Sequence, residues 1–344
     1  MKTLVVTEDG RLQVEEIERP KITEKQALVK TVSCGICGTD ATIIRQSFKG
    51  FDSGHYPLIL GHEGVGEVVE VGAGVKGFKP GDLVILPFVP EPLKDGCTLH
   101  SGWGAFSEYG VIDDLTAYRS EEAPEAAYAQ QVLPDFIDRY EAPVLVTLRE
   151  VYSTILYFGI RPHESVVVYG SGPVAMSFVK LLRLLGIKEV TAIVRSSEKA
   201  NLMKQFGATQ CINSKEKDVR EQIRSVYPDG VHYVLDAVGS ESILNEAVTL
   251  LKDRGEILCY GVPKVNQIKF DFGDGPYNWK LNFQQMPYKT EEADCHQQVL
   301  DWVADGKLVL SEFISEIVDF EHVLDAFQNY LDGKTSKKVI IKFE

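Results

Sequence analysis

Two short segments carry side chains that could do chemistry together. One is Cys37-Gly38-Thr39-Asp40 and the other is Gly61-His62-Glu63-Gly64-Val65-Gly66. A thiol, an imidazole and a carboxylate are the side-chain types that bind zinc. The glycines around them suggest tight turns that let backbone approach closely. Fewer than four protein ligands leaves an open position, and an open position means catalysis rather than scaffolding. Cys37, His62 and Glu63 are therefore the candidate metal ligands. Other readings exist. His62 alone would more often be a core or surface histidine. Cys34-Gly35-Ile36-Cys37 could be half of a zinc ribbon, but a ribbon needs a second such pair and the chain has none. A redox pair should follow a thioredoxin-like strand and open a helix.

A second kind of chemistry is written in Gly170-Ser171-Gly172-Pro173-Val174-Ala175. This glycine turn follows an apolar run and opens a helical pattern, the context in which such a turn cradles a pyrophosphate. Gly170 would make the turn, Gly172 would let backbone reach the phosphates, and Ala175 would allow close packing. Pro173 would open the helix without an N–H of its own, and the free N–H groups from Val174 on would face the anion. A strand–turn–helix without a ligand is the competing reading. About 20 residues further on, NAD sites place an acid for the ribose 2′-hydroxyl. Here the chain reads Arg195-Ser196-Ser197, with no carboxylate until Glu198. An arginine flanked by hydroxyls suits a 2′-phosphate, so NADP is expected to be preferred, with NAD possible. A solvated loop arginine is the bland alternative. Metal plus dinucleotide is the combined expectation.

The elements that must hold these groups change character along the chain. The first 150 residues or so are β-rich. Leu4–Thr7 and Leu12–Ile17 flank Asp9-Gly10, a hairpin signal. Leu28–Val32, Gly66–Val71 and Leu83–Leu86 are further β-branched runs, and a barrel-like sheet is expected. Pro143–Phe158 has helical spacing and a Gly159 stop. From 165 strand and helix alternate: Ser165–Tyr169, Val174–Leu185, Glu189–Val194, Glu198–Phe206, then strands His232–Asp236 and Glu256–Tyr260. That pattern predicts a parallel sheet covered on both faces. Gly239 and Gly261-Val262 close the later strands and are expected beside the nicotinamide. The tail adds a helix around Val323–Leu331 and a strand Val339–Phe343.

Bulk properties exclude several classes. The chain has 344 residues and a net charge of −14, so two domains are expected and duplex nucleic acid is an unsuitable partner. No run of about 18 apolar residues would span a membrane. Glu8 brings acidity too early for a secretory leader. Six scattered cysteines suit a reducing compartment. A cytoplasmic protein is expected.

Cys34–Asp40, Gly61–Val84 and Val166–Ala175, in this order and spacing, resemble the zinc-dependent medium-chain dehydrogenases, with the sorbitol (polyol) dehydrogenase branch closest. The resemblance covers essentially the whole chain. It implies an α/β fold: a doubly wound parallel-sheet Rossmann domain plus a β-rich GroES-like catalytic domain. The catalytic domain would take 1–150 and 289–344, the Rossmann domain 151–288, with the active site in the cleft between them. It implies that Cys37 and His62 match the first two ligands of one catalytic zinc ion and that Glu63 can also ligate. Thr39 matches the hydroxyl that begins proton release, and Asp40 an acid that orients the histidine.

Two departures stand out. The family's structural zinc needs four clustered cysteines, and only Cys97 lies in that segment, so that zinc is not expected. The position of the family's downstream ligand is Val146. Glu150 lies one helical turn on, on the same face; it is either a replacement carboxylate, a residue facing the nicotinamide, or an ordinary helix acid. Ala41-Thr42-Ile43-Ile44 suggests apolar pocket walls. The expected reaction is hydride transfer between NADP(H) and a small-molecule secondary alcohol or ketone, polyol-like or bulkier, by a homo-oligomer (dimer or tetramer). A catalytically altered family member with a binding or structural role, or a zinc-less quinone reductase-like enzyme, are the alternatives.

Overall fold

The computed structural model describes residues 1–91, 99–119, 121–263 and 267–343. Cys97 lies outside the described residues. The chain divides into two compact units, Met1–Arg149 with Tyr288–Glu344, and Glu150–Pro287. The helix Val144–Phe158 runs across the first division.

The first unit is organised by one long strand, Gln26–Gly35, whose apolar residues are almost all buried. It pairs antiparallel with Gly64–Val71, Tyr109–Asp113 and Lys338–Lys342. The register matters for the chemistry. Cys34 stands opposite Gly64 on one side and Ile341 on the other. The ends of three segments remote in sequence therefore meet just before Cys37. A four-stranded sheet, in the order Leu12–Glu16, Lys2–Val6, Leu58–Ile59 and His100–Ser101, packs in the same unit.

A helix that the sequence pattern did not announce, Lys289–Ala304, also belongs here. Its buried face carries Glu292, Cys295 and His296 beside Val299 and Trp302. Two of these polar side chains have partners: Glu292 pairs with the Lys289 ammonium at 2.6 Å, and His296 Nε2 lies 3.4 Å from the Val132 carbonyl. Arg149, 1% exposed, donates from Nε to the Glu292 carbonyl at 3.3 Å and from Nη2 to the Ala129 carbonyl at 2.9 Å. Burial, and then the Arg149 charge, push the His296 pKa down to about 4. A buried histidine kept neutral makes folding sensitive to acid. Its folded pKa lies below the unfolded value of about 6.5, so its contribution is intact above pH 6.5 and lost as pH falls toward 4. His296→Gln is expected to remove about 2–3 kcal/mol of that loss. Urea midpoints at pH 7 and pH 4.5 check it; parallel acid losses in both proteins would count against it.

The second unit is a six-stranded parallel sheet in the order Gln210–Asn213, Val190–Val194, Val166–Tyr169, Val231–Asp236, Leu251–Cys259, Trp279–Phe283. Chain order along the sheet reverses between Val166–Tyr169 and Val231–Asp236. That is the switch point at which doubly wound sheets bind ligands. Val166–Tyr169 and Val190–Val194 are buried throughout, as a sheet covered on both faces requires. The helix Pro173–Leu184 packs Ala175, Phe178, Val179 and Leu182 inward.

Candidate active site

The strand Gln26–Gly35 ends at Gly35, and the helix Gly38–Ile44 starts after an extended Cys37. Asp40 explains both the turn and its chemistry. One carboxylate oxygen accepts the backbone N–H of Cys37 at 2.8 Å, tying down the start of the helix. The other lies 3.3 Å from Nδ1 of His62. Asp40 is fully buried, and neither Asp40 Oδ1 nor His62 Nδ1 has a regular hydrogen-bond partner. An acid on Nδ1 fixes the ring and leaves Nε2 for a metal. Burial alone would lower the His62 pKa, but Asp40 and then Cys37 outweigh it and hold the imidazole well above its usual range.

Ligand atoms of Cys37, His62 and Glu63 lie within 4.8 Å of one another. Sulfur, nitrogen and oxygen donors converging this closely fit zinc. Glu63 is 1% exposed and already engaged. Thr147 Oγ1 donates to it at 2.8 Å, and the Lys338 ammonium forms a short ion pair with its other oxygen. Lys338 is itself 2% exposed. Burial would lower its pKa, but Glu63 and then Cys37 raise it above the usual lysine range. Gly35 makes room for this pair: a Cβ there would collide with the Glu63 carboxylate. The Thr39 hydroxyl lies 3.9 Å from the Cys37 sulfur. The Trp103 ring centre stands 5.5 Å from that of the His62 imidazole.

Neither Thr147 nor Lys338 emerged from the sequence. Thr147 follows Val146, and its hydroxyl, not a ligand at Val146, is what that turn of helix turns toward Glu63. Val146 is buried. One expectation needs correcting: Ala41, Ile43 and Ile44 are not pocket walls. They are buried, and Ile43 and Ile44 belong to the core with Leu58, Phe106 and Phe327. A helix of seven residues set against a sheet must turn one face inward, and this is that face.

In the second unit the glycine turn sits at the carboxyl end of Val166–Tyr169. Gly172 caps the helix Pro173–Leu184, and no side chain caps it in addition. A Cβ on Gly172 would meet nothing within 4 Å. Open space before uncapped first-turn N–H groups, including that of Val174, fits a dinucleotide pyrophosphate. Gly239 and Gly261 interlock: a Cβ on Gly239 would press on the Val262 backbone, and one on Gly261 on Gly239 itself. Asp236, unnoticed in the sequence, ties this pair together. Its carboxylate accepts the N–H groups of Val238, Gly239 and Ser240 at 2.8, 3.0 and 3.2 Å, and its carbonyl accepts that of Gly261 at 2.8 Å.

Arg195 is exposed at the end of Val190–Val194, and no ion pair of it is found among the described residues. Ser196 has a structural duty as well: its Oγ accepts the Lys199 N–H at 3.2 Å and caps the helix Ser197–Gln205. Glu150 accepts a hydrogen bond from the Tyr260 hydroxyl at 2.6 Å, so it braces the segment leading into Gly261-Val262.

Known proteins resemble this chain in sequence and in fold. The family model of the alcohol dehydrogenase GroES-like domain matches residues 23–121, and that of the zinc-binding dehydrogenases matches residues 173–305. An alcohol dehydrogenase of Geobacillus stearothermophilus is 28% identical over 100% of this chain and 99% of its own. The starvation-sensing protein RspB of Escherichia coli is 27% identical over 100% and 99%. Among solved structures, the alcohol dehydrogenase TADH from Thermus sp. ATN1 superimposes with a TM-score of 0.80 at 23% identity, covering 100% of both chains. The Escherichia coli rspB structure complexed with NADH has a TM-score of 0.80 at 24% identity, covering 100% of this chain and 99% of that one. A zinc-binding dehydrogenase from Sinorhizobium meliloti bound to NADP has a TM-score of 0.79 at 22% identity, covering 99% and 98%. With two domain matches in the right order and full-length relatives, this chain belongs to the zinc-type medium-chain alcohol dehydrogenases.

Proposed function

We propose that this oxidoreductase transfers a hydride between NADP(H) and a secondary alcohol or ketone, using one zinc ion per chain. The observation that carries the proposal is the convergence of Cys37, His62 and Glu63 within 4.8 Å, with Asp40 behind the histidine. Zinc in that donor set supplies Lewis-acid stabilisation of the alcohol oxygen, and a bound nicotinamide supplies the hydride acceptor or donor. The chain's own part is positioning and proton transfer. Cys37 and His62 are the ligands. Glu63, paired with Lys338, is a direct ligand or lies close beside them. Thr39, next to the Cys37 sulfur, takes the alcohol proton and passes it outward. Gly170, Gly172, Pro173 and Val174 receive the pyrophosphate, while Gly239, Gly261 and Val262 back the nicotinamide. Of the roles open to Glu150, its hydrogen bond with Tyr260 favours the nicotinamide side.

Arg195, with Ser196, supports the choice of NADP over NAD. Losing a charge-assisted contact to the 2′-phosphate costs about 1.5–3 kcal/mol. Arg195→Asp is therefore expected to lower the NADP:NAD ratio of kcat/KM by about tenfold to a hundredfold. An unchanged ratio would remove Arg195 from the cofactor site. The whole reading is tested by zinc analysis of metal-replete protein together with coenzyme oxidation across a panel of secondary alcohols. Zinc-free protein that still turns over, or zinc-loaded protein that oxidises nothing, would overturn it.

The proposal extends to a cytoplasmic homo-oligomer, a dimer or tetramer. The strand Trp279–Phe283 ends its sheet and leaves Leu281 and Phe283 exposed, an edge that association would cover. No helix of the described residues is long and apolar enough to cross a membrane.

A further inference from the structure

Resting on the hydride-transfer reading above, we infer that the substrate is an alcohol or ketone bearing an aromatic ring, and that the indole of Trp103 is the surface on which that ring packs.

The first sign is backbone strain. Trp103 has φ +67°, a left-handed conformation that a bulky side chain rarely adopts, and Gly104 follows at φ +75°. Such outliers persist only where the surroundings over-determine them, and they concentrate at functional sites. Here they are held by the Val89 N–H, which donates to the Trp103 carbonyl at 2.8 Å, and by Gly104, where a Cβ would clash with Ile59 and Val89. The strained turn aims the indole at one place. Its ring centre is 5.5 Å from His62, 5.6 Å from Phe51 and 6.1 Å from Phe48.

The second sign is exposure. Trp103 packs against the core but is not enclosed by it. Trp103 is only partly buried, as are Phe51, His62, Cys37 and Thr39, while Phe48 lies beneath them. The surface next to the proposed zinc ligands is therefore aromatic. Phe48 and Phe51 reach it because they follow the helix that Cys37 and Thr39 begin.

Chemistry then selects the ligand. Each hydroxyl of a polyol placed on ring faces would lose its water without gaining a partner. A small alkyl ketone would leave much of the surface uncovered. An aryl group gains both apolar burial and edge or offset stacking on the indole and on Phe51.

The test uses zinc-loaded enzyme with cofactor, and kcat/KM for acetophenone, butanone and, in the oxidative direction, 1-phenylethanol, 2-butanol and sorbitol. Wild type is expected to favour acetophenone over butanone by about tenfold or more. Trp103→Ala should lower that ratio by about tenfold or more, chiefly through a higher KM for acetophenone, and Trp103→Phe should restore part of it. Phe51→Ala should lower the ratio in the same direction. Because butanone turnover measures active enzyme in each preparation, misfolding cannot imitate the result. A ratio untouched by Trp103→Ala, or a wild type that prefers sorbitol to 1-phenylethanol, would overturn the assignment. If no alcohol is turned over, the hydride-transfer reading has failed, and calorimetric titration of acetophenone into zinc-loaded protein still decides this one. Saturable binding lost in Trp103→Ala would uphold it, and no binding to wild type would overturn it.

Discussion

Cys37→Ala is expected to purify with zinc well below one ion per chain and to lose about a thousandfold or more in kcat/KM. Lewis-acid stabilisation of a developing alkoxide is worth several kcal/mol, which is three or more powers of ten in rate. The variant has nothing to fall back on. Only His62 and Glu63 remain of the converging donors, and Val146 cannot supply a further one. The fold should survive, because Cys37 caps a short helix through its backbone rather than filling the core. Zinc analysis, steady-state kinetics and far-ultraviolet circular dichroism check the three parts separately. Wild-type turnover in a zinc-poor variant would sever the site from the reaction, and two zinc ions per wild-type chain would refute the single-site count.

The second large effect concerns stability. Lys338→Met is expected to cost about 3–5 kcal/mol, because it leaves the Glu63 carboxylate buried without its cation. Adding Glu63→Gln should recover a good part of that loss, since removing both charges removes the desolvation problem. Denaturant unfolding of the first unit measures both variants. A single-variant loss under about 1 kcal/mol would mean that water reaches Glu63 and that the pair is weak. Restored stability without restored kinetics would show that the charge on Glu63 serves the reaction as well as the fold.

Much of this protein could be read before its structure was known. The apolar run at 165–169 and the glycine turn after it became a buried central strand and a helix cap, because both signals are local. The Cys37–His62–Glu63 group was legible for a different reason: glycines and zinc-binding side chains are rare together. What stayed hidden was non-local. Lys338 reads as the polar end of a strand, Lys-Val-Ile-Ile-Lys. Only pairing with Ser33–Gly35 puts it inside, against a carboxylate 275 residues away. Thr147 looked like a helix residue beside a missing ligand. The helix Lys289–Ala304 escaped because Glu292, Cys295 and His296 sit on its buried face and blur the apolar period. Trp103 gave no signal at all, since the strain in its backbone has no counterpart in residue type.

The ion pair between Glu63 and Lys338 also bears on how the protein is made. Glu63 leaves the ribosome early, and Lys338 follows only after the entire Glu150–Pro287 unit has been synthesised. At about 5–20 residues per second, those intervening residues impose a delay of many seconds. Through that interval the first unit lacks the strand that flanks Cys34 and the cation that permits a buried carboxylate. A nascent chain in that state should keep its Glu63 region open to solvent and to chaperones, while the second unit, continuous in sequence, can already fold. Assembly order would then run second unit first and first unit last, so that a half-made chain lacks the finished Cys37–His62–Glu63 cluster.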